Sequence, residues 1–160
     1  MVTIKFINSL AKKHMGAAAI IFNEKGELLI VKPNYNDGWL VPGGSLDAIE
    51  SPTDGCIREI KEEIGLEIPD IRCTGIFYSV GKTEEEVMYD SMQFTFYAGV
   101  LSDEQIKNIV LQEKELTEFR FVSLDEAYTV LRPRLAYRIK LSMDSIKNNT
   151  CVYHEQKTII

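Results

Sequence analysis

Three glutamates in the first half of the chain have the type and spacing to bind a divalent cation. Glu59, Glu62 and Glu63 stand at i, i+3 and i+4, and residues at this spacing share one face of a helix. Like charges so placed repel and destabilise a helix by about 0.2–0.5 kcal/mol per pair. A hard cation such as Mg²⁺ reverses that effect, because it takes carboxylate oxygens as ligands. The alternative is a solvated acidic face, the common use of a run of charge.

The flanking residues predict the helix that positions these carboxylates. Ser51 can cap its start, Pro52 suits the first helical position, and Gly65 can adopt the positive φ that ends a helix. Arg58 falls near Glu62, where it can brace a carboxylate or reach Glu50. An apolar stripe beside the glutamates would pack the helix on a sheet, and it consists of Cys56, Ile57, Ile60 and Ile64.

Residues 44–66 as a whole resemble the Nudix box. The pattern of that family is Gly, five residues, Glu, seven residues, Arg-Glu, an aliphatic residue, any residue, Glu-Glu, any residue, Gly and an aliphatic residue. Every specified position is filled here, by Gly44, Glu50, Arg58, Glu59, Ile60, Glu62, Glu63, Gly65 and Leu66. The preceding Trp-Leu-Val-Pro-Gly at 39–43 also looks like the family's usual lead-in.

The resemblance implies a fold, an activity and a cofactor. The fold is a Nudix-like α/β/α sandwich with a mixed β-sheet, expected to occupy residues 1–160 as a single domain. The activity is hydrolysis of a diphosphate linkage in a nucleotide or nucleoside-diphosphate derivative. The cofactor is Mg²⁺, with Mn²⁺ as a possible substitute. A Nudix-like ligand-binding sensor without turnover is the alternative; such proteins often lack a motif glutamate or carry a DNA-binding domain, and neither is expected here.

Site residues also follow from the resemblance. Glu59, Glu62 and Glu63 would hold the metal, and Arg58 would orient the neighbouring glutamate. The backbone at Gly43 and Gly44 would approach the site closely, where any Cβ would intrude; the Gly43 carbonyl is a further candidate ligand. Catalytic roles are therefore expected for Glu59, Glu62 and Arg58.

The general base is harder to assign. Family members place it on a motif glutamate or on an acid in a loop before a late strand. Glu113 and Glu115 lie in such a predicted loop, and Glu118 would start the strand. Each could equally be an ordinary surface glutamate. We prefer Glu115 over Glu113 because it lies closer to the strand and is better anchored.

The composition of the chain limits the kinds of molecule it is expected to bind and the compartment in which it is expected to act. The net charge of −6, from 18 basic and 24 acidic residues, disfavours a nucleic acid polymer but permits a small nucleotide substrate, because a metal-loaded site is locally positive. Three cysteines without a CxxC pattern favour reduced thiols and a cytoplasmic location. No apolar run reaches membrane-spanning length, and residues 1–10 lack signal-peptide features. The apolar tail 152–160 suggests a possible homodimer, unless it folds back on its own sheet.

The remaining elements follow from periodicity and turn residues. Residues 16–22 and 27–31 predict a hairpin, and 92–98 and 118–122 alternate as strands do. Residues 102–110 give an ambiguous pattern, for which a short helix is one interpretation. A capping box at 123–126 opens a helix that Pro133 interrupts, and a last helix ends near Asn149. The predictions also include an extended segment at 71–80 and a terminal strand at 151–160; aromatics that could stack on a base are Tyr35, Trp39, Tyr78 and Tyr89.

Overall fold

Seven strands form one mixed sheet in a computed structural model, which describes residues 2–35 and 37–157. The order is β6-β2-β1-β5-β4-β7, and β3 pairs with β1. The β1–β5 and β4–β7 pairs are parallel, and the others are antiparallel. The strands are β1 (His14–Asn23), β2 (Leu28–Pro33), β3 (Gly43–Ser45), β4 (Arg72–Lys82), β5 (Met88–Leu101), β6 (Leu116–Val122) and β7 (Val152–Gln156).

Helices cover both faces of this sheet, as the α/β/α expectation requires. The helices are α1 (Ile4–Ser9), α2 (Pro52–Ile64), α3 (Asp103–Lys107), α4 (Leu124–Val130) and α5 (Pro133–Asn148). One buried cluster joins α2 to the sheet, and a second joins α4 and α5 to the opposite face. None of these helices combines the length and apolar character that a membrane span needs, within the part of the chain that is described.

Strand β1 supplies side chains to both clusters by simple alternation. Ala17, Ala19 and Ile21 belong to the cluster with α2, whereas Ile20 and Phe22 belong to the cluster with α5. From α2, the side chains of Cys56, Ile60 and Ile64 are fully buried. Truncation of such a side chain, for example Ile60→Ala, costs about 2–5 kcal/mol. This packing fixes the rotation of α2 and holds its glutamates at the margin of the core.

Most element predictions are confirmed, and two elements of the structure were not predicted. The predicted hairpin is present, with Phe22 opposite Leu28 in an antiparallel pair. Pro133 occupies the first turn of α5, so it begins a helix after α4 has ended at Val130. Helix α1 and strand β3 were not predicted, because α1 has no buried face and β3 is a three-residue strand fixed by its pairing with β1.

The C-terminal strand β7 lies beside β4 at the sheet edge. Its pairing confirms a terminal strand over the described residues, and 158–160 lie outside them. The pairing also brings Cys73 and Cys151 together, with 3.6 Å between their sulfur atoms. Cys56, Cys73 and Cys151 are free cysteines. Residues 152–156 of the tail pair with the protein's own sheet, so the case for a homodimer depends on exposed side chains such as Tyr153.

Candidate active site

Helix α2 begins and ends at the predicted residues. Ser51 Oγ accepts a hydrogen bond from the Asp54 N–H over 3.1 Å, and Pro52 follows it at the start of the helix. Gly65 adopts a φ of 72° and its N–H donates to the Lys61 carbonyl. The helix is therefore complete through local contacts and packing, without a bound ion.

Glu63 is a buried carboxylate, with only 7% of the residue exposed. Its Oε2 accepts a hydrogen bond from the Gly43 N–H over 2.8 Å. Burial raises the pKa of Glu63 to about 8, and the nearby charges of Glu59 and Glu115 add to the effect. Burial also raises the pKa of Glu59, although the Arg58 guanidinium opposes that shift. The site thus concentrates more negative charge than its own cations offset.

Arg58 joins the other motif carboxylates. Its guanidinium donates twice to Glu50, from Nε to Oε1 over 2.8 Å and from an Nη to Oε2 over 3.0 Å. The other Nη donates to Glu59 Oε1 and Glu62 Oε2, each over 3.0 Å. This fork holds the pKa of Glu50 at about 2, well below its ordinary value. Both predicted contacts of Arg58, with Glu62 and with Glu50, are present.

Gly43 and Gly44, at the start of the motif, lie close to different parts of the structure. A Cβ on Gly44 would lie 2.5 Å from Glu59 Oε1, so its absence leaves room for that carboxylate. A Cβ on Gly43 would collide with the backbone of Ala17 in β1, and Gly43 also has a φ of 144°. The Gly43 N–H, rather than the expected carbonyl, is the group that hydrogen-bonds a motif carboxylate.

The donor set fits a hard divalent cation. Carboxylate oxygens are the ligands that Mg²⁺ and Mn²⁺ prefer, and Glu63 is buried close to further negative charges. The described residues contain no group of three such side chains already arranged as metal ligands. Instead, Glu59 and Glu62 each accept a hydrogen bond from Arg58. A cation would favour the charged form of Glu63, which burial and the nearby carboxylates disfavour, so these residues suit its binding.

A loop between α3 and β6 packs against the C-terminal end of α2. The Gln112 N–H donates to the Glu63 carbonyl over 3.1 Å, and the Asn34 N–H donates to the Glu115 carbonyl over 2.8 Å. These bonds bring Glu115 close enough for its charge to raise the pKa of both Glu59 and Glu63. Glu113 is exposed in the same loop. Glu118, in contrast, lies within β6 and pairs with Arg120 over 2.7 Å.

A cavity of about 370 Å³ adjoins the acidic cluster across β3. Gly43 and Gly44 line one wall, the apolar Leu40 and Val41 lie beside them, and Tyr35 lies among the lining residues. Three arginines at the start of α5 also line it: Arg132, Arg134 and Arg138.

Only one of the four aromatic candidates for base stacking lines this cavity. Tyr35 does so, whereas Tyr78 and Tyr89 line a different cavity of about 410 Å³ that also includes His14. Trp39 packs instead under the Arg120 guanidinium, which is 4.7 Å from the ring centroid.

Sequence reasoning did not identify two sets of site residues. No role was assigned from sequence to the arginines of α5, although Arg134 and Arg138 at i and i+4 signal a shared helix face. Gln112 was overlooked entirely, and its Oε1 is buried without a hydrogen-bond partner among the described residues. An isolated glutamine in a loop gives no sequence signal of this kind.

Comparisons with known proteins identify the family of this chain. A family model described as the NUDIX domain matches residues 12–143. An RNA pyrophosphohydrolase of Hydrogenovibrio crunogenus is 34% identical over 110 residues, which cover 62% of this chain and 66% of the relative. The chain thus spans just under two thirds of that relative's length. An uncharacterized Nudix hydrolase of Listeria innocua is 30% identical over 150 residues, covering 88% of this chain and 82% of the relative.

A solved structure extends the likeness to the fold. The crystal structure of a MutT protein from Methanosarcina mazei matches with a TM-score of 0.65 and 26% sequence identity. The match covers 88% of this chain and 99% of the other.

Proposed function

Because this chain belongs to the Nudix hydrolase family, we propose that it hydrolyses a diphosphate linkage in a nucleotide or nucleoside-diphosphate derivative with the help of a divalent metal. The observation that carries the proposal is the buried, hydrogen-bonded Glu63 within a cluster of motif carboxylates beside a cavity. Such a cluster is suited to a cation, and the cavity offers room for a small substrate.

Glu59, Glu62 and Glu63 would hold Mg²⁺, with Mn²⁺ as a possible substitute. When bound, the ion would neutralise phosphate oxygens and acidify a water molecule. Gly43 fixes one oxygen of Glu63 through its N–H, and the missing Cβ of Gly44 leaves room for the Glu59 carboxylate. Arg58 fixes the orientation of Glu59 and Glu62 and is itself anchored by Glu50.

Glu115 is our choice for the general base. A carboxylate oxygen of Glu115 would accept a proton from the attacking water. For this role the carboxylate must lie near the motif glutamates and must not be hydrogen-bonded to Arg58. The support for this choice is that the charge of Glu115 raises the pKa of Glu59 and Glu63. Glu113 in the same loop and Glu59 on the helix are the competing choices.

The proposed substrate is a small molecule and not a nucleic acid polymer. The cavity volume of about 370 Å³ suits a nucleotide-sized group. The net charge of −6 disfavours a long polyanion. We also propose that the chain is a single domain that acts in the cytoplasm.

A panel of diphosphate compounds with Mg²⁺ tests the function. Incubation with nucleoside diphosphate derivatives should release two phosphate-containing products from at least one of them, and excess chelator should stop the release. A ligand-binding sensor is the second candidate, kept because the cavity alone would serve it equally well. Tight binding of a panel member without any turnover would identify the sensor.

A two-fold homodimer is a further proposal. Tyr153 on the edge strand β7 is 58% exposed, and cyclic dimers are the commonest assemblies. Light scattering across micromolar concentrations should give twice the monomer mass. A monomer mass throughout would end the idea.

A further inference from the structure

Three arginines at the start of α5 face the same cavity as the glycines of β3. Arg134 and Arg138 are separated by four positions, so they lie on one face of the helix. Arg132 precedes the helix as its N-cap and makes no side-chain capping hydrogen bond there. All three line the cavity of about 370 Å³, together with Gln93. The helix therefore presents three positive charges to one confined space.

Among the described residues, these three arginines form no ion pair with a carboxylate. Within residues 2–35 and 37–157, the ion pairs involve other side chains, and none reaches Arg132, Arg134 or Arg138. This is unusual in a chain with six more acidic than basic residues.

Arg138 is a half-buried cation whose charged form is disfavoured by its surroundings. Its guanidinium is 3.5 Å from Ser79 Oγ and 6.0 Å from the centroid of the Phe77 ring. Burial lowers the pKa of Arg138, and the like charge of Arg134 lowers it further. A half-buried cation that is repelled by its neighbour gains most from an incoming anion.

Tyr35 connects the arginines to the acidic cluster. Partial burial and the charge of Glu63 raise the pKa of Tyr35, whereas the charge of Arg132 lowers it. Tyr35 therefore lies within electrostatic range of both Arg132 and the acidic cluster. Because Gly43 lines the cavity and also donates to Glu63, the cavity that holds the arginines adjoins the carboxylate cluster.

We propose that Arg132, Arg134 and Arg138 form a subsite for a phosphate monoester of the substrate, separate from the diphosphate linkage that is cleaved. Guanidinium groups bind phosphate oxygens through paired, charge-assisted hydrogen bonds, and a dianion suits several of them at once. This inference rests on the proposed function and deepens it. The preferred substrates are then small diphosphate compounds that carry an additional terminal phosphate.

The subsite can be tested without metal or turnover. Inorganic phosphate in excess chelator, at constant ionic strength set by chloride, should raise the melting temperature of the wild-type protein. The shift should be lost in an Arg134→Gln/Arg138→Gln double variant and retained in Lys140→Gln, an exposed position on the same helix. Arg132→Gln should weaken the shift without loss of packing, because Arg132 is exposed.

Kinetics then test the substrate class. ADP-ribose 2′-phosphate and ADP-ribose differ only by a phosphate monoester, so their comparison isolates the subsite. In Arg132→Gln and in the double variant, KM for the phosphorylated compound should rise by roughly 10- to 100-fold, the range for lost charge-assisted hydrogen bonds. The rise in KM for ADP-ribose should be clearly smaller, so that the variants lose the preference for the phosphorylated compound.

The outcomes separate this inference from the proposed function. Equal phosphate shifts in the wild-type protein and in the arginine variants, or no shift in any of them, overturn the subsite even if diphosphates are hydrolysed. A shift caused only by a 5′-phosphorylated oligoribonucleotide overturns the small-molecule assignment. Hydrolysis of no diphosphate compound counts against the proposed function, and the phosphate shift still decides the subsite.

Discussion

Gly43 on β3 donates its backbone N–H to Glu63 Oε2 on α2 over 2.8 Å. This bond joins the segment before the motif to the helix inside it, across 20 residues of chain. It also fixes one oxygen of the most buried motif carboxylate. The neighbouring Gly44 leaves space for Glu59, so two adjacent glycines shape the surroundings of two glutamates.

Alanine substitutions should separate the roles of these glycines. In Gly44→Ala the new Cβ would lie 2.5 Å from Glu59 Oε1, and the end of that side chain can move. We expect a folded protein with clearly reduced hydrolysis. In Gly43→Ala the Cβ meets the backbone of β1, so the melting temperature should fall. Calorimetry and rates on the same two preparations check both expectations; full activity in Gly44→Ala would argue against a role for the Glu59 position.

Metal removal should leave the fold intact. Helix α2 has its own cap, stop and buried stripe, and none of these contacts needs an ion. Chelator should lower the melting temperature only modestly, because the stabilisation by a ligand grows with the logarithm of its concentration over its dissociation constant. Circular dichroism in chelator measures this. Loss of the helical signal would show that the metal is structural.

The ion pair of Glu50 and Arg58 should make stability depend on acidic pH. The Arg58 guanidinium lowers the pKa of Glu50 from 4.5 to about 2 in the folded protein. The folded state thus binds fewer protons there than the unfolded state, so this contribution is complete above about pH 4.5 and is lost as the pH falls toward 2. Urea unfolding across this range should show the difference in free energy between wild type and Glu50→Gln shrinking. A difference that does not vary with pH would contradict this coupling.

Local features of α2 could be predicted from sequence, whereas the environment of its glutamates could not. Ser51, Pro52 and Gly65 act on adjacent backbone, so their roles can be read without the rest of the chain. The burial of Glu63 depends on β3, which is only three residues long and pairs with β1. The approach of Arg138 depends on where α5 lies on the sheet. Such long-range packing leaves little trace in local periodicity.

The base should be found by comparing pH profiles of three variants. Glu115→Gln should lower kcat by roughly 10²–10⁴, the range for loss of a general base, with metal affinity nearly unchanged. Glu113→Gln is the matched control in the same loop and should retain activity. If Glu59→Gln alone loses the acidic limb of the profile while both loop variants remain active, the base belongs to the helix.

The most direct test of the account is the rate of diphosphate hydrolysis by Glu63→Gln at saturating Mg²⁺. Glutamine keeps the size of the side chain and can still accept the hydrogen bond from Gly43, but it removes the charge that would hold the cation. The rate should fall at least about a hundredfold, as for loss of one strong electrostatic group. Glu62→Gln should behave alike, and the exposed Glu84→Gln should not. Wild-type rates in Glu63→Gln, with an unchanged fold, would contradict the central claim.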